Sequence, residues 1–414
     1  MVRAVLAICA AALVCAAPSA AGRAGGASTQ DVVIIGAGGV HLACTFVLPA
    51  GSAPAGGWPG VVLFPGFDDP AGVGTGFANA GLASVSCDER GTGSSGGSFD
   101  LAGPNDAADA QAIFYWLASQ PGVSDTQIGA EGTDLGGAEV WDAAAAGVPF
   151  KAIVPADTWS RLDRALRPTG VLNARLFQLL SSKGPTAWDT AAGIAARSYR
   201  KHLHALTVPT FILQNREDDL VDLSQATATY RLLGGPKRLF VGWSGTEPPQ
   251  NLAIEWFLHY LGGIPKAGSG VALQHEQPDV AATTYLKLPP TRSVTVNLPG
   301  TVLKRSVWLT GGPLETFGGG SVTIRYTGAS WTQVVARVST ASGRLVTEGA
   351  APVTQRAGVL KIPLLDEVAL LPSGKRLVVT LSSHDATFGG TATRKIAVGR
   401  VTLKLSVLQR AVSH

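Results

Sequence analysis

The chain has 414 residues, 46% hydrophobic and 15% charged, with 51 glycines and 25 prolines. This composition is typical of a compact, loop-rich globular protein of two or three domains and excludes a disordered chain. The net charge of +4 is small and no block of lysines and arginines stands out, so nucleic acid is not an expected partner.

The N-terminal segment, residues 1–21, predicts a secretory signal peptide. Arg3 supplies the positive charge, residues 4–17 form an apolar run, and residues 18–21 are small enough for cleavage. The apolar run is too short to cross a bilayer comfortably, and no later stretch has the length of a membrane span. We therefore expect a protein that is exported to the extracellular space or the cell envelope.

A glycine-containing segment at residues 31–41 resembles a dinucleotide-binding fingerprint. His41 occupies the third glycine position, and a strand-like run follows it where the fingerprint needs a helix. The segment therefore predicts a β-hairpin, and we expect no cofactor.

Buried strands and helices alternate over the following two hundred residues, as expected for a mainly parallel sheet with helices on both faces. The predicted strands lie at 60–66, 82–87, 127–130, 150–155, 208–214 and 237–241, and the predicted helices at 105–120, 136–145, 223–233 and 251–261. Residues 156–206 interrupt this alternation with helix-forming sequence. They predict a cap inserted over the edge of the sheet.

The pattern changes after residue 262. Residues 265–270 read as a linker, and about eight short runs with period-2 alternation follow between residues 283 and 407. Together these features predict an α/β domain at 22–264 and an all-β, jelly-roll-like sandwich at 271–414.

The segment around Asp134 has the layout of a nucleophile elbow, in which a sharp turn joins a strand to a helix. Gly132 and Gly136 flank the turn, as its close packing and strained conformation require. In α/β-hydrolases the residue at the apex is usually serine, whereas this chain has aspartate.

Several segments together resemble the X-prolyl dipeptidyl peptidase and cocaine-esterase type of α/β-hydrolases. Residues 88–97 match that family's D-x-R-G-x-G-x-S-x-G loop, and residues 116–122 resemble its W-L-x-x-Q-P-W segment. Residues 159–173 resemble its cap, and residues 371–377 resemble a strand of its sandwich. The resemblance implies an α/β-hydrolase fold with a helical cap and a C-terminal sandwich. It also implies that the strands holding Cys44 and Cys87 are neighbours, which favours a disulfide over two buried thiols.

The resemblance assigns the catalytic positions residue by residue. Asp134 takes the nucleophile position and Asp218 takes the acid position. The catalytic histidine belongs in the loop at 241–249, which contains none. Of the seven histidines in the chain, only His202 and His204, at the end of the cap, are candidates to reach the site from elsewhere.

The oxyanion hole implied by the resemblance consists of backbone N–H groups, from Leu135 and from Phe67. Because these donors belong to the backbone, they survive substitution of the side chains. The carboxylate of Asp134, however, would fill the hole with its own charge. If Asp134 were instead a nucleophile, its alkyl ester would persist without a histidine to activate water.

Asp134, Asp218 and Glu247 form a candidate acidic cluster that could bind a cation. We prefer the interpretation that Asp134 fills the elbow and accepts hydrogen bonds from nearby N–H groups, because three ligands alone rarely make a metal site. We therefore expect no metal.

Three functional hypotheses remain. The first is a secreted hydrolase-fold protein with impaired catalysis that binds a small-molecule or peptide ligand in the cap pocket. The second is an active peptidase or esterase with a rearranged site. The third makes the sandwich a carbohydrate-binding module, although its aromatic residues are few and Trp308 and Trp331 are expected in its core; the other candidates are Tyr285 and Tyr326.

Overall fold

The structure is a computed structural model. It describes residues 26–67, 74–182, 188–218, 220–243, 248–265, 268–276, 281–309, 313–328, 330–371, 373–374, 376–390 and 396–409. The predicted signal peptide and Glu247 lie outside these residues.

Ten strands of the described chain form one mixed sheet, in the order β1-β2-β4-β3-β5-β6-β7-β8-β9-β10. Strands β3 to β9 run parallel to one another, and β1, β2 and β10 pair antiparallel with their neighbours. The strands are β1 (Ser28–Ile35), β2 (His41–Leu48), β3 (Trp58–Phe64), β4 (Ala83–Cys87), β5 (Val123–Thr133), β6 (Ile153–Ala156), β7 (Thr210–Asn215), β8 (Lys237–Gly242), β9 (Gly270–Leu273) and β10 (Thr283–Tyr285).

Helices cover this sheet, and four of those described form the predicted cap insertion between β6 and β7. The cap helices are α4 (Leu162–Leu166), α5 (Ala174–Ser182), α6 (Ala191–Ala196) and α7 (Arg200–Leu203). The helices that pack on the sheet are α1 (Thr75–Asn79), α2 (Pro104–Ala118), α3 (Leu135–Ala145), α8 (Leu223–Leu232) and α9 (Gln250–Tyr260). Helix α3 is the most deeply buried of these because nearly all of its residues are apolar or small.

The C-terminal part is an antiparallel sandwich, as the sequence predicts. One sheet has the order β11-β19-β13-β16, with β17 paired to β13, and the other has the order β12-β18-β14-β15. Alternate residues of the strands point into a shared apolar core. The strands are β11 (Thr291–Leu298), β12 (Lys304–Trp308), β13 (Leu314–Thr327), β14 (Gln333–Thr340), β15 (Leu345–Pro352), β16 (Gly358–Pro363), β17 (Leu370–Leu371), β18 (Arg376–Ser382) and β19 (Ala397–Leu408).

Two details differ from the sequence-based expectations. Strands β9 and β10 continue the first sheet, so the sandwich strands begin at Thr291 and not at the expected start, residue 271. Trp331 is buried as expected, but Trp308 is 62% exposed. Trp308 ends an edge strand and lies under the guanidinium of Arg376, 5.7 Å from the ring centroid, so it belongs to the surface.

A disulfide joins Cys44 of β2 to Cys87 of β4. The two residues are directly opposite each other in the antiparallel pair, and both are almost fully buried. The bond therefore fastens the antiparallel edge of the sheet to its parallel centre.

Candidate functional site

Asp134 lies at the apex of the turn between β5 and α3, with φ of 53° and ψ of −112°. A Cβ atom added to Gly132 would lie 2.3 Å from the backbone of Gly136, and one added to Gly136 would lie 2.2 Å from the carbonyl oxygen of Phe64. Only glycine fits at either position, because real Cβ contacts are never so short. The sequence thus forces the sharp elbow that the pattern predicted.

The backbone around Asp134 holds this conformation in place. Its N–H donates to the carbonyl of Ala156 on β6 at 3.0 Å, and its carbonyl accepts from Ala138 in the first turn of α3 at 3.2 Å. A non-glycine residue at such a φ costs on the order of 1–3 kcal/mol, which the packing of the elbow must offset.

Asp157 is the site residue that the sequence analysis missed. It directly follows β6, the strand beside the elbow, and also has a positive φ, 45°. One of its carboxyl oxygens accepts a hydrogen bond from the N–H of Asn215 at 2.6 Å. Burial raises the pKa of Asp157 well above its ordinary value, and the charges of Asp218 and Asp134 raise it further.

Asp218 lies in the loop after β7, where the resemblance placed the catalytic acid. Its Oδ1 accepts hydrogen bonds from the N–H groups of Leu220 and Val221 at 2.9 and 3.0 Å, and its Oδ2 lies 3.5 Å from the amide nitrogen of Gln214. Asp134, Asp157 and Asp218 therefore come from the carboxyl ends of three adjacent strands and act on one another electrostatically. A signal for Asp157 was available in its position immediately after a parallel strand.

The described histidines lie elsewhere in the fold. His202 and His204 are exposed at the end of the cap, and His259 lies on α9, with Nδ1 2.7 Å from the carbonyl of Ile264. His275 follows β9, 2.6 Å from the carboxylate of Glu315 and 2.8 Å from the hydroxyl of Thr283.

His41 and His275 lie at the same edge of the sheet as the elbow, because β2 is antiparallel to β4 and β9 is parallel to β8. In the sheet order, three strand spacings separate β2 from β5 and four separate β9 from β5, which is about 14 Å and about 19 Å at roughly 4.8 Å per spacing. A general base must reach its partner within hydrogen-bonding distance or through one water. Neither His41 nor His275 therefore replaces the base that residues 241–249 lack.

The two backbone donors predicted for an oxyanion hole belong to residues that follow neighbouring strands of the sheet. Leu135 is the first residue of α3, where N–H groups have no partner within the helix. Phe67 follows β3, and its ring stacks on Trp159 at the base of the cap, with centroids 6.2 Å apart.

The loop at 88–97, which carried much of the resemblance, has a structural role. Arg90 is buried and donates two hydrogen bonds to the carboxylate of Asp109 on α2, at 2.7 and 2.8 Å. Ser95 donates to the carbonyl of Asp88 at 2.7 Å and accepts from the N–H of Ala43 on β2 at 2.9 Å. These contacts tie β2, β4 and α2 together, so they stabilise the fold whether or not the elbow is catalytic.

Acidic side chains do not form a recognisable metal centre in the described part of the chain. No group of three or more His, Cys, Asp or Glu side chains there could hold a metal ion. No helix within the same residues is long and apolar enough to cross a membrane.

Comparisons with known proteins bear on the family and the fold. Residues 38–191, which include the elbow, match the model of the X-Pro dipeptidyl-peptidase (S15 family). Asp218 and the loop after β8 lie beyond the matched range. No curated protein sequence matches the chain significantly.

Solved structures with the same fold cover nearly the whole chain. A CocE/NonD family hydrolase from Staphylococcus aureus superposes with a TM-score of 0.69 and 12% identity, over 92% of each chain. An aminopeptidase from a marine sediment Thaumarchaeota archaeon gives 0.66 and 13%, over 92% of this chain and 97% of its own. An α-amino acid ester hydrolase gives 0.66 and 14%, over 96% of this chain and 100% of its own.

These identities are low enough that the superpositions bear on the fold alone, and that fold has both the capped α/β part and the sandwich. Residues 38–191, with the elbow among them, are similar to the X-Pro dipeptidyl-peptidase family, and the chain shares the capped α/β-hydrolase and sandwich fold of the solved structures.

Proposed function

We propose that this protein is an exported member of its hydrolase family that binds a small-molecule or peptide ligand and does not turn over substrates by the serine-triad route. The observation that supports this most directly is the set of three carboxyl groups, from Asp134, Asp157 and Asp218, around the elbow. The family's chemistry needs a hydroxyl, an imidazole and one carboxylate there.

The charge at the elbow opposes acyl transfer in two ways. A carboxylate at Asp134 cannot accept an acyl group and pass it to water as a serine can. It also places negative charge beside the N–H groups of Leu135 and Phe67, where a tetrahedral intermediate would develop its own negative charge.

An activity panel tests this proposal on the whole mature chain. We would assay p-nitrophenyl acetate, an alanyl-prolyl p-nitroanilide and an α-amino acid ester with wild type, Asp134→Ala and Asp134→Ser. All three proteins should stay near the background rate, because serine alone lacks a base. The exposed Asp125, replaced by alanine, is the matched control.

Cleavage in proportion to protein concentration, abolished by Asp134→Ala and unaffected by Asp125→Ala, would overturn the proposal. Strong activity of Asp134→Ser alone would also contradict it, since that result requires a base that we have not identified.

One observation favours the alternative of an active hydrolase with a rearranged site. The buried carboxyl of Asp157 has a raised pKa beside the carboxyl of Asp134. Two interacting carboxyls, one protonated and one ionised, can work as an acid–base pair on a water molecule. This alternative requires that Asp157→Asn abolish any activity as completely as Asp134→Asn does, with a bell-shaped pH profile in wild type.

Export is part of the proposal and rests on the N-terminal sequence and the Cys44–Cys87 disulfide, which an oxidising compartment permits. Expression of the full chain in a secretion-competent bacterium should yield mature protein outside the cytoplasm. Mass spectrometry of its N-terminus should find cleavage near Ala21. Retention of an uncleaved chain in the cytoplasm would contradict export.

A further inference from the structure

A cavity of about 880 Å³ lies between α3 and the cap, apart from the elbow. It is bounded by the C-terminal half of α3, by α6 and by the segment that leads into α7. Its described lining includes neither Asp134, Asp157 nor Asp218. Its volume falls within the usual range for sites that hold a small organic molecule.

The walls of this cavity are mainly apolar. Ala145 at the end of α3, the adjoining Ala146, and Ile194 and Ala195 of α6 all line it. Small side chains on both walls leave room for a flat or extended apolar group, and burying such a group yields roughly 25 cal/mol for each Å² removed from water.

Positively charged side chains line the cavity from α7. Arg200 and Lys201 line it from α7, both side chains are exposed, and neither forms an ion pair with another described residue. Arg161 also lines the cavity, but its charge is balanced by Asp163 through hydrogen bonds of 2.5 and 3.0 Å. The cavity therefore carries uncompensated cations at its α7 end.

Asp142 supplies a polar group on the α3 wall. Its Oδ2 is buried and has no hydrogen-bond partner within the described residues. The neighbouring Arg197 does not pair with it, because its guanidinium donates to the carbonyls of Leu101 and Gly193 and to Asp100. A buried polar atom without a partner is unfavourable when charged, so this carboxyl favours its protonated form.

We propose that this cavity is a binding site for a small amphipathic carboxylate. The anionic group lies at Arg200 and Lys201, and the apolar body lies between α3 and α6. The site does not depend on the chemistry at the elbow. A failure of this proposal would therefore leave the function proposed above unaffected, and the reverse is also true.

The protonation state of Asp142 supports an anionic ligand. Burial raises the pKa of Asp142 to about 8, the charges of Asp106 and Asp100 raise it too, and Arg197 lowers it. Around Asp142 the cavity also presents Tyr199, Arg161, Asp163 and His202, besides the two α7 cations. Below about pH 8 the carboxyl is neutral, and above that pH its negative charge opposes a bound anion.

Isothermal titration calorimetry with octanoate, octylammonium and octanol tests the proposal on the mature chain at pH 7. The three probes share one apolar body and differ in charge. Octanoate should bind with one site per chain, and octylammonium should bind at least about tenfold more weakly, a difference of about 1.4 kcal/mol. Equal binding of the three probes, or no binding of octanoate, would overturn the proposal.

Substitutions of residues that line the cavity test whether octanoate binds there. The double variant Arg200→Ala/Lys201→Ala should weaken octanoate binding at least about tenfold, and Ala195→Trp, which fills the cavity, should abolish it. The control Arg356→Ala/Lys361→Ala removes two exposed cations of the sandwich and should leave the affinity for octanoate unchanged. Circular dichroism and the melting temperature establish that each variant is folded. Unchanged octanoate binding in folded Ala195→Trp would overturn the assignment.

The pH dependence gives a second, independent readout. Octanoate affinity of wild type should fall between pH 7 and 9 as Asp142 ionises. Asp142→Asn cannot ionise and should lose that decrease while keeping the pH 7 affinity. A decrease of the same size in Asp142→Asn would contradict the role of this carboxyl.

Discussion

The strained φ of Asp134 raises the question of why an aspartate occupies a position that suits glycine better. The chain accepts that strain and also places the carboxyls of Asp157 and Asp218 nearby. Both features destabilise the fold, and local costs of this kind concentrate at functional sites. Substitutions of Asp134 can separate the effect of the backbone strain on the free energy of unfolding from the effect of the charge.

Asp134→Asn removes the charge but keeps the strain, and Asp134→Gly removes both. We expect Asn to raise the free energy of unfolding by up to about 1 kcal/mol and Gly to raise it by a further 1–3 kcal/mol, the usual size of such backbone strain. Guanidinium denaturation at pH 7 measures both values. A glycine variant that is no more stable than the asparagine variant would mean that the elbow is not strained.

Glu131 of β5 predicts a pH dependence of stability. Burial raises the pKa of its carboxyl from 4.5 to about 8. Between these values the unfolded chain loses the proton and the folded chain keeps it. The stabilisation is complete below about pH 4.5 and is lost as the pH rises toward 8.

The free energy of unfolding should therefore fall from pH 5 to pH 8, by up to about 1.4 kcal/mol per pH unit for this one group. Glu131→Gln should reduce that slope, and the exposed Glu255→Gln should leave it unchanged. Denaturant titrations of the three proteins at four pH values measure the slopes. The same slope in Glu131→Gln and wild type would rule Glu131 out as its source.

At the scale of single elements, two interactions hold the antiparallel edge of the sheet to the rest of the domain. One is the Cys44–Cys87 disulfide between β2 and β4, and the other is the buried ion pair of Arg90 with Asp109, which joins the loop after β4 to α2. Neither involves the elbow. The loop motif therefore stabilises this region of the fold independently of any chemistry at the elbow.

Removing the disulfide should destabilise the protein by about 2–4 kcal/mol. The double variant Cys44→Ala/Cys87→Ala, compared with wild type in denaturant, measures the loss. Thiol titration of denatured, unreduced mature protein should find no free thiol, whereas two reactive thiols per chain would disprove the bond.

At the scale of the whole molecule, the sandwich is packed against the hydrolase part and is not a separate appendage. Val368 donates a backbone hydrogen bond to Arg216 at 3.1 Å, and Ala174 of the cap donates one to Thr387 at 2.7 Å. Val171 of the cap shares an apolar cluster with Phe388 and other sandwich residues. The two parts should therefore unfold together.

Phe388→Ala tests this coupling. Phe388 is 3% exposed, so its truncation should destabilise the protein by about 3–5 kcal/mol and separate one calorimetric transition into two. Val359→Ala, at a site 63% exposed, should change the stability by less than about 0.5 kcal/mol. Two separate transitions already present in wild type would contradict the coupling.

Local patterns in the sequence determined the fold class, the cap insertion and the elbow. The reason is that strand and helix periodicity and the glycines around Asp134 are local features with direct steric meaning. The replacement of serine at the elbow and the lack of histidine in residues 241–249 are likewise visible in the sequence. The roles of Asp134 and Asp218 came from the family resemblance.

Only the tertiary structure brought Asp157 beside Asp134 and Asp218, because that proximity depends on the order of strands in the sheet. The same holds for the place of β9 and β10, which short period-2 runs cannot assign to one sheet or another. It holds also for Trp308, whose exposure follows from its position at the end of an edge strand. The cavity between α3 and the cap exists only through contacts between segments about fifty residues apart, which no local pattern records.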